Sequence, residues 1–263
     1  MTLDFSRPHP TTLVALRAGR EVGRWTWEVL DGATAVVSLT RFDTAAVETE
    51  LARTAVEVFR EEGYRYVQLP IHEEATDANH LIAVGFRNLT TLTEYRRSST
   101  AAPPPRPLPA GLRLEPIGDL NDDELSRLWH ATLIGTLDCP ELNACRGPTG
   151  LPAGFADPRI EQPETAFAVR MHGESVGLII GAVHSDESFA AILYLGVIPA
   201  VRRIGAATAL LSHFLSSTRV ASALGCTVTV DVRNVPARRL YERNRFRPCG
   251  SYRISVWINS SAT

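Results

Sequence analysis

The stretch 193–211 constrains the fold most, because it predicts a strand, a short turn and then a helix. An apolar run comes first, and Pro199 then removes a backbone donor and stops sheet pairing. Gly205 and two alanines follow where an apolar helical run begins, so a ligand can approach the backbone closely. Free N–H groups and the positive end of the helix dipole make this turn a phosphate site, and Arg202 and Arg203 add charge.

A second strand-to-helix segment follows, from Asp231 to Phe246. Asn234 offers both a donor and an acceptor, as needed to hold an amide-bearing ligand arm. Tyr241 comes seven residues later in the sequence. Two helical turns separate residues at that spacing, so we expect both side chains on one side of the helix.

The two segments resemble the two signatures of the GNAT acetyltransferase superfamily. The first signature, Val-x-Pro followed by Arg/Gln-x-x-Gly-x-Gly/Ala, is similar to Val197-x-Pro199 and Arg202-x-x-Gly205-x-Ala207. The second, Asn-x-x-Ala-x-x-Leu-Tyr-x-x-x-Gly-Phe, is matched at Asn234, Ala237, Leu240, Tyr241 and Phe246. Arg245 stands where the family has glycine, and the resemblance covers about residues 110–258.

This resemblance implies that acetyl-CoA is the cofactor. Its diphosphate would sit on the N–H groups of the turn, and its pantetheine arm would enter a gap between splayed central strands. The implied cofactor-binding residues are Leu195, Gly196, Val197, Arg202, Arg203, Ile204, Gly205, Ala206, Ala207, Thr208 and Asn234.

The resemblance also implies direct attack of a primary amine on the thioester in a ternary complex. Tyr241 would protonate the leaving thiolate, and a backbone N–H near the splayed strands would stabilise charge on the thioester oxygen. The amine needs a general base, which the sequence leaves open. The candidates are a water chain or one of His184, Glu187, Tyr194 and Asp231.

The loop from Thr136 to about Asp157 corresponds to part of the family's acceptor pocket. Its polar residues are therefore candidates for gripping the acceptor, and the alternative is that they cap and turn the loop. These candidates are Asp138, Glu141, Asn143 and Arg146. His130, beside the apolar stripe of the preceding helix, is interpreted as structural.

The first half of the chain repeats the strand and helix order of the second half. We expect a helix over 43–62 with Asp43 as its N-cap, between strands at 33–39 and 64–71. No glycine precedes this helix, and the Asp43 carboxylate would repel a phosphate. Residues 1–98 are therefore interpreted as a degenerate, truncated GNAT-like unit without a cofactor loop.

The expected fold class is α/β (α+β), with two GNAT-like units that each have a mixed central sheet flanked by helices. The Pro-rich segment 99–111 is interpreted as a linker, and residues 112–263 as the acetyltransferase domain.

The composition excludes several classes of protein. A net charge of −2 gives no basic field for nucleic acid or an acidic membrane. The N-terminus does not resemble a signal peptide, and no apolar stretch is long enough to span a bilayer. The four cysteines lack metal-ligand spacing, so we expect no metal site, reduced thiols and a cytoplasmic location. The expected partner is a small-molecule or peptide amine.

Three alternatives stay open. The chain could bind coenzyme A as a sensor or pseudoenzyme without turnover. It could be an interaction module that uses the Pro-rich segment. It could also resemble the tandem, mycothiol synthase-like enzymes, whose acceptor is a small thiol-bearing amine.

Overall fold

The computed structural model describes residues 2–29, 33–72, 79–98, 108–143, 163–183 and 189–259. The chain divides into two compact units, and the second is inserted in the sequence of the first. The first unit comprises Met1–Leu92 and Ser251–Thr263, and the second comprises Thr93–Gly250. The predicted 99–111 linker lies mostly outside the described residues, so the domain boundaries of 1–98 and 112–263 stay a prediction.

The first unit is a mixed sheet with one long helix. Its elements are β1 (Asp4–His9), β2 (Thr12–Arg17), β3 (Arg20–Val29), β4 (Thr34–Phe42), α1 (Ala45–Glu61), β5 (Tyr66–His72), the short α2 (Asn79–Ile82), the first part of β6 (Arg87–Ser98) and most of β12 (Arg247–Ile258). Strands β1 to β4 are joined by antiparallel pairs, β4 pairs parallel with β5, and β12 pairs antiparallel with β5.

Helix α1 packs its apolar stripe on β2, β3 and β4. Phe59 from this stripe meets the ring of Trp27 edge-on at 5.1 Å, and both side chains are fully buried. The predicted N-cap was wrong by one residue: Thr44 is extended, and its hydroxyl accepts a hydrogen bond from the Val47 N–H. The first helical bond runs from the Glu48 N–H to the Thr44 carbonyl, whereas the Asp43 N–H still pairs with the carbonyl of Val22.

The second unit has a mixed sheet with helices on both faces. Its elements are the rest of β6, β7 (Leu112–Pro116), α3 (Asp122–Leu133), α4 (Pro140–Asn143), β8 (Ala166–Met171), β9 (Glu174–Val183), β10 (Phe189–Val197), α5 (Ala206–Ser216), α6 (Thr218–Ala221), β11 (Gly225–Asp231) and α7 (Val235–Arg243). The strand order is β6-β11-β10-β9-β8-β7. Strands β7 to β10 are joined by antiparallel pairs, whereas β10 and β11 are parallel.

Two apolar layers cover this sheet. Alternation along β8 sends Ala166 and Ala168 into the layer that contains Trp129 of α3. It sends Phe167 and Val169 into the layer that contains α5. Helix α3 begins at the N-cap Asn121, whose side chain accepts from the Glu124 N–H at 2.9 Å. The Glu124 carboxylate binds Arg170 and Ser175.

Each unit contains one parallel strand pair that separates. Strands β4 and β5 pair only over Thr34–Val36 and Tyr66–Gln68, although β4 continues to Phe42. Strand β4 also has a register shift against β3 shortly after this pairing ends. The arrangement in the second unit is the same, so the predicted repeat of one mixed-sheet fold in both halves is confirmed.

Within the described residues, no helix combines the length and the apolar character that crossing a bilayer requires.

Candidate active site

Strands β10 and β11 separate partway along their length and leave a gap in the centre of the second sheet. Their pairing runs from Phe189 with Gly225 to Ile192 with Val228, and no later pair joins them in the described part of the chain. A bulge at Leu193 shifts the register of β10 against β9 at this point. The next five residues of β10, up to Val197, are each at least partly exposed although the strand is central. A central strand with an open edge offers backbone donors and acceptors to a ligand.

The turn after β10 presents a cluster of N–H groups. Gly205 lies just before α5 with a φ of 98°, and Arg203 has a φ of 69°, so both residues are in the left-handed region. No acceptor among the described residues takes the N–H groups of 203–208. The first turn of an α-helix has no intrahelical acceptors for its N–H groups. Together with the positive helix terminus, these groups fit a diphosphate.

The side chains of this turn differ in their surroundings. Ile204 is 46% exposed, because α5 begins only at Ala206, after the left-handed Gly205. The Arg202 side chain binds four backbone carbonyls, which belong to Val197, Thr132, Ile134 and Gly135. Arg203, by contrast, is exposed and has no hydrogen bond or ion pair among the described residues.

Helix α7 carries the two predicted residues of the second segment. Asn234 is its N-cap, and the side-chain oxygen accepts from the Ala237 N–H at 3.2 Å. The Asn234 amide nitrogen keeps its donors, because no acceptor for them lies among the described residues. Because β10 and β11 are parallel, the N-termini of α5 and α7 lie at the same edge of the sheet, outside the carboxyl ends of the strands.

Tyr241 is buried in an apolar cluster that also includes residues of the gap. It is 4% exposed and packs in the same apolar cluster as Leu195 and Val197. Burial raises the pKa of its phenol well above the usual value, and the negative charge of Asp138 raises it further. A phenol in these surroundings stays protonated at neutral pH and is able to donate its proton to a developing anion.

Asp138 belongs to a segment, Thr132–Glu141, that we call the strap. Its Oδ1 accepts the N–H of Asp231 at 2.9 Å, at the end of β11. In return, the Cys139 N–H donates to Oδ2 of Asp231 at 3.1 Å. These reciprocal bonds fix the strap to β11.

Arg233 completes this attachment. It pairs with Oδ2 of the fully buried Asp231 at 2.7 Å and with both carboxylate oxygens of Glu141. Hydrogen bonds to Asp231 and Glu141 raise the pKa of Arg233, and the bond to Arg233 lowers the pKa of Glu141. Sequence reasoning missed Arg233, although it lies inside the second motif beside Asn234.

Two of the four candidate bases, Tyr194 and Asp231, lie among the described residues. The Tyr194 hydroxyl lies 2.7 Å from Oγ1 of Thr132, and its ring packs at a 46° tilt against Trp129 with the centroids 4.1 Å apart. The Asp231 carboxylate is enclosed by Arg233 and Cys139. His184 and Glu187 lie outside the described residues, as do Arg146 and the side chain of Asn143 among the predicted acceptor residues.

Glycines let the site strands approach each other, which the sequence analysis did not anticipate. Within β10, Gly196 leaves room for the Tyr194 side chain, because a Cβ on Gly196 would lie 2.5 Å from the Tyr194 hydroxyl. A Cβ on Gly177 of β9 would lie 2.9 Å from the Gly196 carbonyl oxygen. Spacing along one strand carries no signal for such cross-strand contacts.

The candidate site thus combines a parallel strand pair that opens toward two helix N-termini with a buried phenol beside it. Residues 133–246, which include most of the strap, the gap and α7, match the model of the acetyltransferase (GNAT) family. This match agrees with the resemblance that the two motifs carry. A comparison with curated protein sequences finds no match.

Solved structures of this family share the fold over nearly the whole chain. A GCN5-related N-acetyltransferase from Sphaerobacter thermophilus aligns with a TM-score of 0.73 and 16% identity, over 98% of this chain and 85% of that one. A tandem GNAT protein from the clavulanic acid biosynthesis pathway aligns with a TM-score of 0.60 and 15% identity, over 97% and 85%. A GCN5-related N-acetyltransferase from Kribbella flavida gives 0.57 and 14%, over 98% and 91%. At these identities the likeness shows the fold, and it extends to the first unit.

Proposed function

We propose that this protein is an acyl-CoA-dependent N-acyltransferase that moves an acetyl group from acetyl-CoA to a primary amine. The observation that carries the proposal is the gap in the second sheet. Strands β10 and β11 stop pairing after Ile192 and Val228, and the turn with free N–H groups follows β10 directly. A long, narrow ligand with a diphosphate at one end fits this combination of an open strand edge and a cluster of donors.

The residues present fit coenzyme A. The N–H groups of Arg203–Thr208 would bind the diphosphate, with the exposed Arg203 side chain beside them. The open edge of Leu195–Val197 and the amide donors of Asn234 would hold the amide groups of the pantetheine arm. Gly205 leaves space in front of the turn. A Cβ at this position would occupy that space and would lie 3.2 Å from the Cγ of Pro109.

The bound cofactor supplies an activated thioester. In the proposed reaction the amine nitrogen forms a bond to the acyl carbon, the carbon–sulfur bond breaks, and the amine proton passes to a base. Tyr241 would donate the proton that neutralises the departing sulfur, since its raised pKa keeps the phenol protonated at neutral pH. A water chain or one of the four candidate residues would serve as the base.

Asp138 supports an amine as the acceptor. Its carboxylate is held at the end of β11 by the Asp231 N–H, and its charge acts on the Tyr241 phenol. A cationic acceptor would be attracted to this position, which agrees with the predicted gripping role. Glu141, predicted for the same role, has its carboxylate in a bidentate pair with Arg233.

A second candidate function is that of a coenzyme A sensor without turnover. Two contacts favour this function, because both described base candidates are engaged by other groups of the protein. The Tyr194 hydroxyl is within hydrogen-bond distance of Thr132, and the Asp231 carboxylate is paired with Arg233.

One experiment separates these functions. Calorimetry would measure acetyl-CoA binding to the full chain, and a panel of small amines, peptide N-termini and thiol-bearing amines would be screened for a mass increase of one acetyl group. We expect saturable binding and turnover of at least one amine. Binding without turnover across the panel would support the sensor, and absence of binding would refute both functions.

A further inference from the structure

We propose that Arg202 does not bind the diphosphate but positions the strap, and through it the acceptor side of the site. This inference rests on the proposed function and concerns a side chain that the motif places in the cofactor cradle. The guanidinium is only partly exposed, and its four hydrogen bonds all end on backbone carbonyls of the protein. An arginine has five N–H donors, so most of its capacity is used before a ligand arrives.

The four carbonyls belong to two separate elements. The Val197 carbonyl, at the end of β10, accepts from Nε at 3.3 Å. The carbonyls of Thr132, Ile134 and Gly135 are at the C-terminus of α3, where the strap begins. The last carbonyls of a helix lack intrahelical donors, and a cation there is also favoured by the helix dipole. Arg202 therefore joins the open strand of the gap to the first part of the strap.

Gly135 provides an independent sign that the strap is shaped around this side chain. It has a φ of 61°, a conformation in which an L-residue is strained. A Cβ added there would lie 3.4 Å from Nη1 of Arg202. Glycine lets the carbonyl of residue 135 turn toward the guanidinium, to which it is bound at 3.1 Å.

The strap is consequently attached at both ends across the mouth of the gap. Arg202 holds its start to β10, and Asp231 holds its later part to β11 through the bonds with Asp138 and Cys139. Asp138 is itself part of the second attachment. Loss of the first attachment would move Asp138 relative to Tyr241. Diphosphate binding would not change, because the N–H groups that face the diphosphate belong to the backbone.

The test compares two acyl donors and three variants of the full chain. S-acetylpantetheine lacks the diphosphate, so a side chain that acts on the diphosphate has no effect with this donor. We would measure kcat/KM with acetyl-CoA and with S-acetylpantetheine for Arg202→Gln, Arg202→Lys and the neighbouring Arg203→Gln. The amine would be one identified in the acceptor screen.

We expect Arg202→Gln to lower kcat/KM by about tenfold or more with both donors, and by similar factors. Arg202→Lys should behave like Arg202→Gln, because a lysine keeps the charge but cannot reach carbonyls in four directions. Arg203→Gln should reduce the rate with acetyl-CoA only. A loss in Arg202→Gln that is confined to acetyl-CoA, or full rescue by lysine, would overturn the inference.

Hydrogen exchange of the protein without ligand gives a readout that is independent of turnover. The Asp231 amide donates to Asp138, so it reports whether the strap stays on β11. We expect its exchange to accelerate several-fold in Arg202→Gln and to be unchanged in Arg203→Gln. Unchanged exchange in both would contradict the inference. If wild-type protein transfers no acyl group, the proposed function fails, and the exchange result still decides whether Arg202 holds the strap.

Discussion

Substituting Gly205 tests the diphosphate site most directly, and two substitutions of equal length separate its causes. Gly205→Gln and Gly205→Glu both place a side chain at a φ of 98°, with its Cβ 3.2 Å from the Cγ of Pro109. Left-handed backbone costs an L-residue about 1–2 kcal/mol, and the close contact adds to this cost. Both variants should therefore lose thermal stability by similar amounts. Only the glutamate adds a negative charge in front of the N–H cluster.

The charge effect can be calculated separately. Two unit charges about 6 Å apart in water repel by about 0.7 kcal/mol, so a diphosphate with about two charges is opposed by about 1.4 kcal/mol. This corresponds to about a tenfold difference in Kd, and partial exclusion of water increases it. We expect Gly205→Glu to bind acetyl-CoA at least about tenfold more weakly than Gly205→Gln.

Calorimetry at low and high ionic strength provides the assay. The difference between the two variants should shrink as salt rises, because exposed charges are screened. With S-acetylpantetheine as donor, the two variants should have equal kcat/KM. Equal acetyl-CoA affinities at low salt would refute the placement of the diphosphate at this helix terminus.

Three further predictions concern the phenol, the strap and the sheet. Tyr241→Phe should reduce kcat about 100-fold or more in single-turnover assays with little change in acetyl-CoA affinity. Because the Tyr241 pKa is raised, wild-type kcat should show no loss from deprotonation of this phenol as pH rises through 10. In urea titrations, Asp231→Ala should lower the free energy of unfolding by about 3–5 kcal/mol, because its buried partners would lose their hydrogen bonds. Glu141→Gln, at the exposed end of the same network, should lower the free energy of unfolding by less than about 1 kcal/mol. Gly181→Ala should destabilise the protein by about 1–3 kcal/mol or more, because the new Cβ would lie 2.3 Å from a ring carbon of Phe214 in α5. Gly118→Ala is the matched control in thermal melts, because a Cβ there would meet nothing within 4 Å. Equal melting temperatures for those two glycine variants would contradict the packing argument.

The elements around the site were predictable because their signals are local. Gly205 and its small neighbours mark a turn and a helix start within a few residues, and Asn234 caps the helix that it precedes. The strand–helix order of both units follows in the same way from hydrophobic period.

Other features depend on contacts that are distant in sequence. The first twenty residues contain two strands, β1 and β2, but β1 is largely exposed and therefore shows no alternation. The side chain of Arg202 binds carbonyls nearly seventy residues away. Backbone carbonyls are common to all residues, so no residue type indicates this attachment. The enclosure of Asp231 by Arg233 and Cys139 is equally absent from any local pattern.

The last strand has a consequence for how the chain is made. Residues 66–72 pair with residues 252–258, so the first sheet gains this neighbour only after residues 252–258 have been synthesised. During synthesis, all residues of the second unit, 93–250, would therefore be available for folding before the first unit has its last strand. Truncation at residue 250 should therefore destabilise the first unit. Strand β5 would lack its partner residues 252–258, and its exposed edge would favour aggregation.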